Sequence, residues 1–193
     1  MAVNLTRIYT RTGDAGETRL GDNSTTSKTD PRLAAYGEVD EANSAIGVAI
    51  AAGHLNSAIV VLLTRIQNDL FDVGADLCNP ITPDPEYPPL RITQEYVDRL
   101  EGWCDEYNNR LTKLRSFILP GGTEGAAYLN VARAVVRRAE RAGWAAVEAH
   151  GPAINLLAIT YLNRLSDLLF ILGRVANLSS GGDVLWVPGG ERD

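Results

Sequence analysis

The sequence predicts an all-α protein, a five-helix bundle preceded by an ordered, non-helical N-terminal loop. Three observations carry this. Apolar residues recur at spacings of three and four through five long stretches, each bounded by capping or breaking residues. Neither residues 1–29 nor the glycine-rich tail from 179 has such a period. A connection with five prolines separates the second stretch from the third. At 193 residues the chain is long enough to bury roughly 70% of its unfolded surface, so one domain over 1–193 is expected. Its parts are a loop over 1–29, a bundle over 30–178 and a tail over 179–193.

The N-terminal segment YTRTGDAGETRLGDNSTTSK places Gly13, Gly16 and Gly21 among threonines. A plain linker would be richer in Gly and Ser and would lack Arg11, Asp14, Arg19 and Lys28. Glycines let backbone N–H groups converge on an anion, and Thr hydroxyls with Lys28 add donors, so the composition suits phosphate. Gly16 and Gly21 have Walker A spacing, but Asp22 and Asn23 follow where Lys and Ser/Thr are needed. A solvent-exposed structural loop is the alternative.

Asp30 and Pro31 start the first helix, to about Ala52, with an N-cap acceptor and a residue already fixed at helical φ. Val39, Asn43, Ile46 and Ile50 form its stripe, and Glu38, Asp40 and Glu41 a negative cluster. The second, about Asn56 to Leu77, carries Ile59, Leu63, Ile66, Leu70, Val73 and Leu77, and Pro80 ends it. NPITPDPEYPPLRI is the long loop. Thr93 caps a third helix expected to reach about Leu114. SFILPGG then runs extended into Thr123; by residue type Phe117 in it suits the core. The fourth helix ends at His150 before Gly151 and Pro152, and the last, from about Ala153 to Leu178, has a seam of Leu162, Leu165, Leu169 and Leu172. In the tail, Trp186 between Leu185 and Val187 suggests a short extended piece docking on the body.

The fourth helix holds the densest arginine cluster. Arg133, Arg137, Glu140 and Arg141 share a face, with Arg138 at its edge. Such a face is either a set of exposed Arg–Glu pairs at i, i+3, each contributing little, or a cationic site. The net charge of −6 argues against nucleic acid, so a local positive site suits a small anion. The opening has no apolar signal region, and the best apolar stretch, Ala45 to Leu63, is interrupted by Gly53, His54, Asn56 and Ser57. A soluble, cytoplasmic protein with no membrane partner is expected. Cys78 and Cys104 lack metal or redox spacing and read as buried thiols. His54 and His150 form no Glu-x-x-His pair, which sets aside a ferritin-like oxidase, and no metal site is expected from the side chains.

IYTRTGDAGETRLG, YGEVDEANSAIG, FILPGGT, ARAVVRRAER and YLNRLSDLLF occur in one order. From Ile8 to about Gly173 the chain resembles the PduO-type ATP:cob(I)alamin adenosyltransferases (corrinoid adenosyltransferases). The resemblance implies an up-and-down five-helix bundle assembled as a homotrimer with active sites between subunits. It implies MgATP as adenosyl donor and cobalamin as acceptor. By matching position, Thr10, Arg11, Thr12, Gly13, Thr18, Arg19 and Lys28, with Asp14 and Gly16 in the same loop, form one half of the ATP site. Arg137, Arg138, Glu140, Arg141 and Asn163 supply the other. Asp40 is implied to pair with Arg133 across the subunit boundary, and Phe117 to close on the lower face of the corrin. A flavin-type reductase and an adenosylcobalamin-dependent mutase are the implied partners. A non-catalytic trimer that senses or escorts ATP and cobalamin is the competing reading, and a purely structural bundle the third.

Overall fold

The computed structural model describes residues 9–85 and 88–191. Ile8, where the resemblance begins, lies outside them, as do the rest of residues 1–8, residues 86–87 and residues 192–193. The described elements are strands β1 (Glu17–Arg19) and β2 (Thr25–Ser27) and helices α1 (Pro31–Ala52), α2 (Ser57–Cys78), α3 (Gln94–Asn108), α4 (Glu124–His150) and α5 (Leu156–Asn177). The helices pack as a bundle in which α1 lies against α2 and α4, and α5 against α3 and α4. Their starts follow from capping chemistry. Asp30 accepts from the Arg32 N–H, Asn56 from Ile59, Thr123 from Ala126 and Asn155 from Leu157.

Three boundaries differ from the sequence reading. The N-terminal loop contains an antiparallel hairpin, with Glu17 opposite Ser27 and Arg19 opposite Thr25. Its threonines suit a pleated strand too short to show a period. Helix α3 stops at Asn108 rather than near Leu114. Asn108 and Asn109 are weak helix formers, and the Thr112 carbonyl is taken by Arg174 Nη2 at 2.9 Å. Helix α5 starts three residues later than expected, because Gly151–Ala153 forms a 3-10 turn before Asn155 caps it.

The core is built from the stripes expected of the first, second and last helices, including Val39, Ile46, Leu63, Leu70, Leu165 and Leu169, together with Val136 of α4. Buried polar groups fix the ends. Arg32 donates to the carbonyls of Leu77 (2.8 Å) and Ala153 (3.1 Å), tying the start of α1 to the end of α2 and to the 3-10 turn. Asp76 accepts from Arg91 (2.6 Å), the Ile92 N–H (2.7 Å) and Asn155 (2.6 Å), which pins the end of the proline loop. Among the described residues the strongest apolar span is Leu156–Ser180, with a mean hydropathy of 1.4, and not Ala45 to Leu63. It is long and apolar enough to cross a membrane, but here α5 is packed against α3 and α4 and reads as apolar because it is buried on several sides.

The tail docks as its Leu185–Trp186–Val187 pattern suggests. Ile118 bridges to Leu185, Leu119 N–H donates to Val184 (2.8 Å) and Trp186 N–H to Phe117 (2.8 Å). Arg174, nearly buried, holds Asp183 at 2.8 Å and anchors the start of this segment.

Candidate active site

Three clusters of candidate residues occupy distinct places on the bundle. The first is the cationic face of α4. Arg133 is half-buried with its guanidinium 5.4 Å from the centre of the Phe170 ring. Arg137, one turn on, is exposed. Among the described residues no carboxylate comes within ion-pair distance of either. Burial, and then Arg137, press the Arg133 pKa downward against a weaker pull from Asp167. Two neighbouring guanidinium groups thus have no carboxylate in ion-pair contact among the described residues, which favours an anion beside them.

The exposed Arg–Glu pairing at i, i+3 is not what the structure shows. Glu140 turns to α5 and accepts from Asn163 Nδ2 at 3.0 Å. Asn163 Oδ1 in turn accepts from Arg164 (2.5 Å), and Arg164 Nε reaches Glu101 at 2.7 Å. Arg141 donates to the Arg137 carbonyl at 3.0 Å. Arg138 is held by Glu38 (2.5 Å) and Glu41 of α1, and these carboxylates raise its pKa. The negative cluster of α1 therefore answers Arg138. Asp40, between those two glutamates in sequence, is exposed and has no ion pair among the described residues.

The second cluster is an open groove of about 920 Å³ beside that face. Phe117 lines it and is 78% exposed, so the core placement expected from residue type is wrong. Its carbonyl is held by the Trp186 N–H of the tail, and its ring faces the groove instead of the bundle. Trp186 packs edge-on against it, with centroids 6.0 Å apart and ring planes at 75°. Arg133, Phe170, Asn130 and Arg115 complete this wall. The sequence reading had not singled out the last three. Asn130 lies one helical turn before Arg133, and Phe170 follows Asn163 and Asp167 on one face of α5, so helical spacing was an available signal.

The third cluster is the hairpin. Arg11 and Gly16 take positive φ, 62° and 88°, and the Lys28 N–H donates to the Gly16 carbonyl at 2.8 Å. Lys28 Nζ lies over Gly13, so close that a Cβ there would meet it at 2.9 Å. Thr10 and Thr12 share a hydroxyl contact of 2.9 Å, and Asp14 is exposed beside them. A depression of about 540 Å³ is lined by Thr12, Gly13, Glu17, Thr18, Arg19 and Thr25. Among the described residues, no hydrogen bond or ion pair joins these hairpin positions to Arg137, Arg138, Glu140, Arg141 or Asn163.

An all-α bundle with a glycine-threonine hairpin, a cationic helix face and an aromatic-walled groove defines a class of ligand-binding helical bundles suited to an anion beside a large apolar surface. The chain belongs to the cobalamin adenosyltransferase family, whose pattern matches residues 8–176. It is similar to a corrinoid adenosyltransferase of Mycobacterium tuberculosis, 63% identical over 100% of this chain and 98% of the relative. It is also similar to one of Bacillus subtilis, 42% identical over 92% and 91%. Among solved structures it resembles a PduO-type ATP:corrinoid adenosyltransferase from Lactobacillus reuteri in two forms. A phenylalanine-to-alanine variant complexed with cobalamin and ATP has a TM-score of 0.86 and 37% identity, covering 94% of this chain and 100% of that one. An arginine-to-lysine variant complexed with ATP has a TM-score of 0.83 and 37% identity, covering 93% and 100%.

Proposed function

We propose that this chain transfers the 5′-deoxyadenosyl group of ATP to the cobalt of cob(I)alamin, giving adenosylcobalamin and triphosphate. The observation that carries the reading is the juxtaposition of Arg137, which has no ion pair among the described residues, with the groove one turn away that is walled by Phe117, Trp186 and Arg133. An anion and a large, partly apolar ring system would meet there. The phenylalanine and arginine altered in the solved relatives stand twenty residues apart, the spacing of Phe117 and Arg137.

The cobalt electron pair forms the bond to C5′ while the bond from C5′ to oxygen breaks, and triphosphate leaves with the electron pair of that broken C–O bond. The corrinoid carries the nucleophile, so no side chain has to serve as nucleophile or base. The protein's task is alignment and stabilisation of charge on the leaving group. Arg137 and Lys28 would meet the triphosphate, with Thr10, Arg11, Thr12, Gly13, Asp14, Gly16, Thr18 and Arg19 wrapping it. Glu140 would hold Asn163 for the nucleoside side, with Arg141 nearby. Arg138, occupied by Glu38 and Glu41, would act by fixing α1 against α4. Phe117 would present a donor-free apolar surface to the lower corrin face. Among the described residues no three His, Cys, Asp or Glu side chains could hold a metal, so magnesium would enter on phosphate oxygens with its own water.

A homotrimer with sites between subunits is part of the same proposal. Its support is that, among the described residues, no hydrogen bond or ion pair joins the hairpin to the arginine face and Asp40 has no ion pair, as in a site completed by a neighbour. Asp40 would then meet Arg133 of the adjacent subunit. A cytoplasmic location, a flavin-type reductase as source of cob(I)alamin and a mutase as recipient of the product belong to this reading.

The test is a single-turnover mixture of protein, MgATP and chemically reduced cobalamin. Appearance of the adenosylcobalamin spectrum with one triphosphate per corrinoid supports the enzyme. Binding of both ligands without product would leave the sensor or escort instead.

A further inference from the structure

Asp30, Thr26 and His150 form a half-buried cluster that the reaction above does not use. Asp30 Oδ1 accepts from the Arg32 N–H at 2.8 Å, which is all that capping α1 requires. The same oxygen lies 2.7 Å from His150 Nε2, and Oδ2 accepts from the Thr26 hydroxyl at 2.8 Å. One carboxylate thus joins three elements: the middle of β2, the start of α1 and the last residue of α4. The Asp30 and His150 side chains are 15% and 28% exposed, so these contacts are less weakened by water than surface pairs.

The hairpin has a second attachment at its turn, where the Gly21 N–H donates to the Cys78 carbonyl at 3.1 Å. Lys28 lies beside the first attachment, two residues past Thr26 and two before Asp30, with its N–H on Gly16 and its ammonium over Gly13. Whatever fixes Thr26 and Asp30 therefore fixes the height and direction of Lys28.

We propose that Asp30 and His150 are a positioning pair for the triphosphate loop, holding β2 and Lys28 in register with the end of the arginine helix. This rests on the reading of the hairpin as the triphosphate-binding half of the site. Neither side chain touches the ligand. Their effect is preorganisation: a loop already held spends less conformational entropy when ATP binds. The adjacent cap explains why Asp30 is a poor test position, since its loss would also fray α1.

The experiment uses Thr26→Val, His150→Ala and His150→Gln in the full-length protein. MgATP binding is read by calorimetry, and KM and kcat with preformed cob(I)alamin. Thr26→Val and His150→Ala are each expected to raise Kd and KM for MgATP by about three- to tenfold, the range of one net hydrogen bond, with kcat within about twofold. His150→Gln, which keeps an N–H donor, should recover most of that loss. In a Lys28→Ala background, His150→Ala should add little, because the group it positions is gone. Unchanged ATP affinity in both single variants would overturn the proposal. So would an equal further loss in the Lys28→Ala background, which would mark a general structural role. Absence of turnover in the wild type would sink the functional reading alone, since the calorimetric series still tests the pair.

Discussion

Phe117 and Trp186 meet edge to face at 6.0 Å, and the Trp186 N–H donates to the Phe117 carbonyl at 2.8 Å. Ring and backbone are thus both held by the C-terminal tail, although Phe117 itself is 78% exposed. An exposed aromatic side chain kept in one place by a second one is poised for a ligand. Phe117→Ala should leave ATP affinity nearly unchanged but lower transfer strongly when cob(II)alamin and a reductant are supplied. Trp186→Ala should act in the same direction and by less, about tenfold for an edge-on contact worth ~1 kcal/mol plus lost burial. The double variant should be little worse than Phe117→Ala. The spectrum of bound cob(II)alamin with ATP decides: an identical five-coordinate signature in wild type and Phe117→Ala would show that the ring does not exclude the lower ligand.

Arg137→Ala removes a guanidinium that no carboxylate among the described residues pairs with. Loss of a charge-assisted contact to the leaving triphosphate should cost about 2 to 4 kcal/mol in the transition state, or about 30- to 1,000-fold in rate. Arg137 is exposed, so the folded chain should melt at nearly the wild-type temperature. Turnover within a few-fold of wild type would remove Arg137 from the site.

Asp40→Asn separates an interface role from a role inside the chain. Asp40 is exposed and unpaired here, so the folding of one chain should be unaffected. If it meets Arg133 of a neighbour, breaking that buried pair should cost about 3 to 5 kcal/mol in assembly or cobalamin binding. Sedimentation and cobalamin titration indistinguishable from wild type would refute the pairing.

Cys104 offers a pH test. Its thiol is pushed up to about 11 from 9.0, first by burial and then by Asp167, Asp105 and Glu101. Between these values the unfolded chain has lost a proton that the folded chain retains, so the contribution to stability present below pH 9 falls as pH rises. Cys104→Ala should flatten the decline of the urea midpoint across that interval. At pH 8 the native thiol should alkylate slowly, and quickly once urea unfolds the chain.

Much of the fold was legible because its signals are local. Asp30–Pro31 and Thr123 cap helices through bonds to residues two or three positions away, and the stripes of α2 and α5 repeat every turn. The end of α3 was not legible because a carbonyl there is claimed by Arg174, distant in the chain. The hairpin was missed because strands of three residues are too short to show alternation.

The candidate site divides along the same line. The chemistry present is readable from local sequence: four arginines on one helix, a glycine-threonine loop with Lys28, and an aromatic residue before the arginine helix. Helical spacing and residue type suffice for that. Which charges are left without a partner depends on how the helices pack. Glu38 and Glu41 neutralise Arg138 from the adjacent helix α1, Glu140 turns away to Asn163, and Arg133 and Arg137 have no ion pair among the described residues. Tertiary packing likewise decides that Phe117 faces outward, because the tail that holds it lies nearly seventy residues further along the chain. Charge balance and burial are sums over neighbours in space, and neighbours from separate helices are set only when the bundle packs.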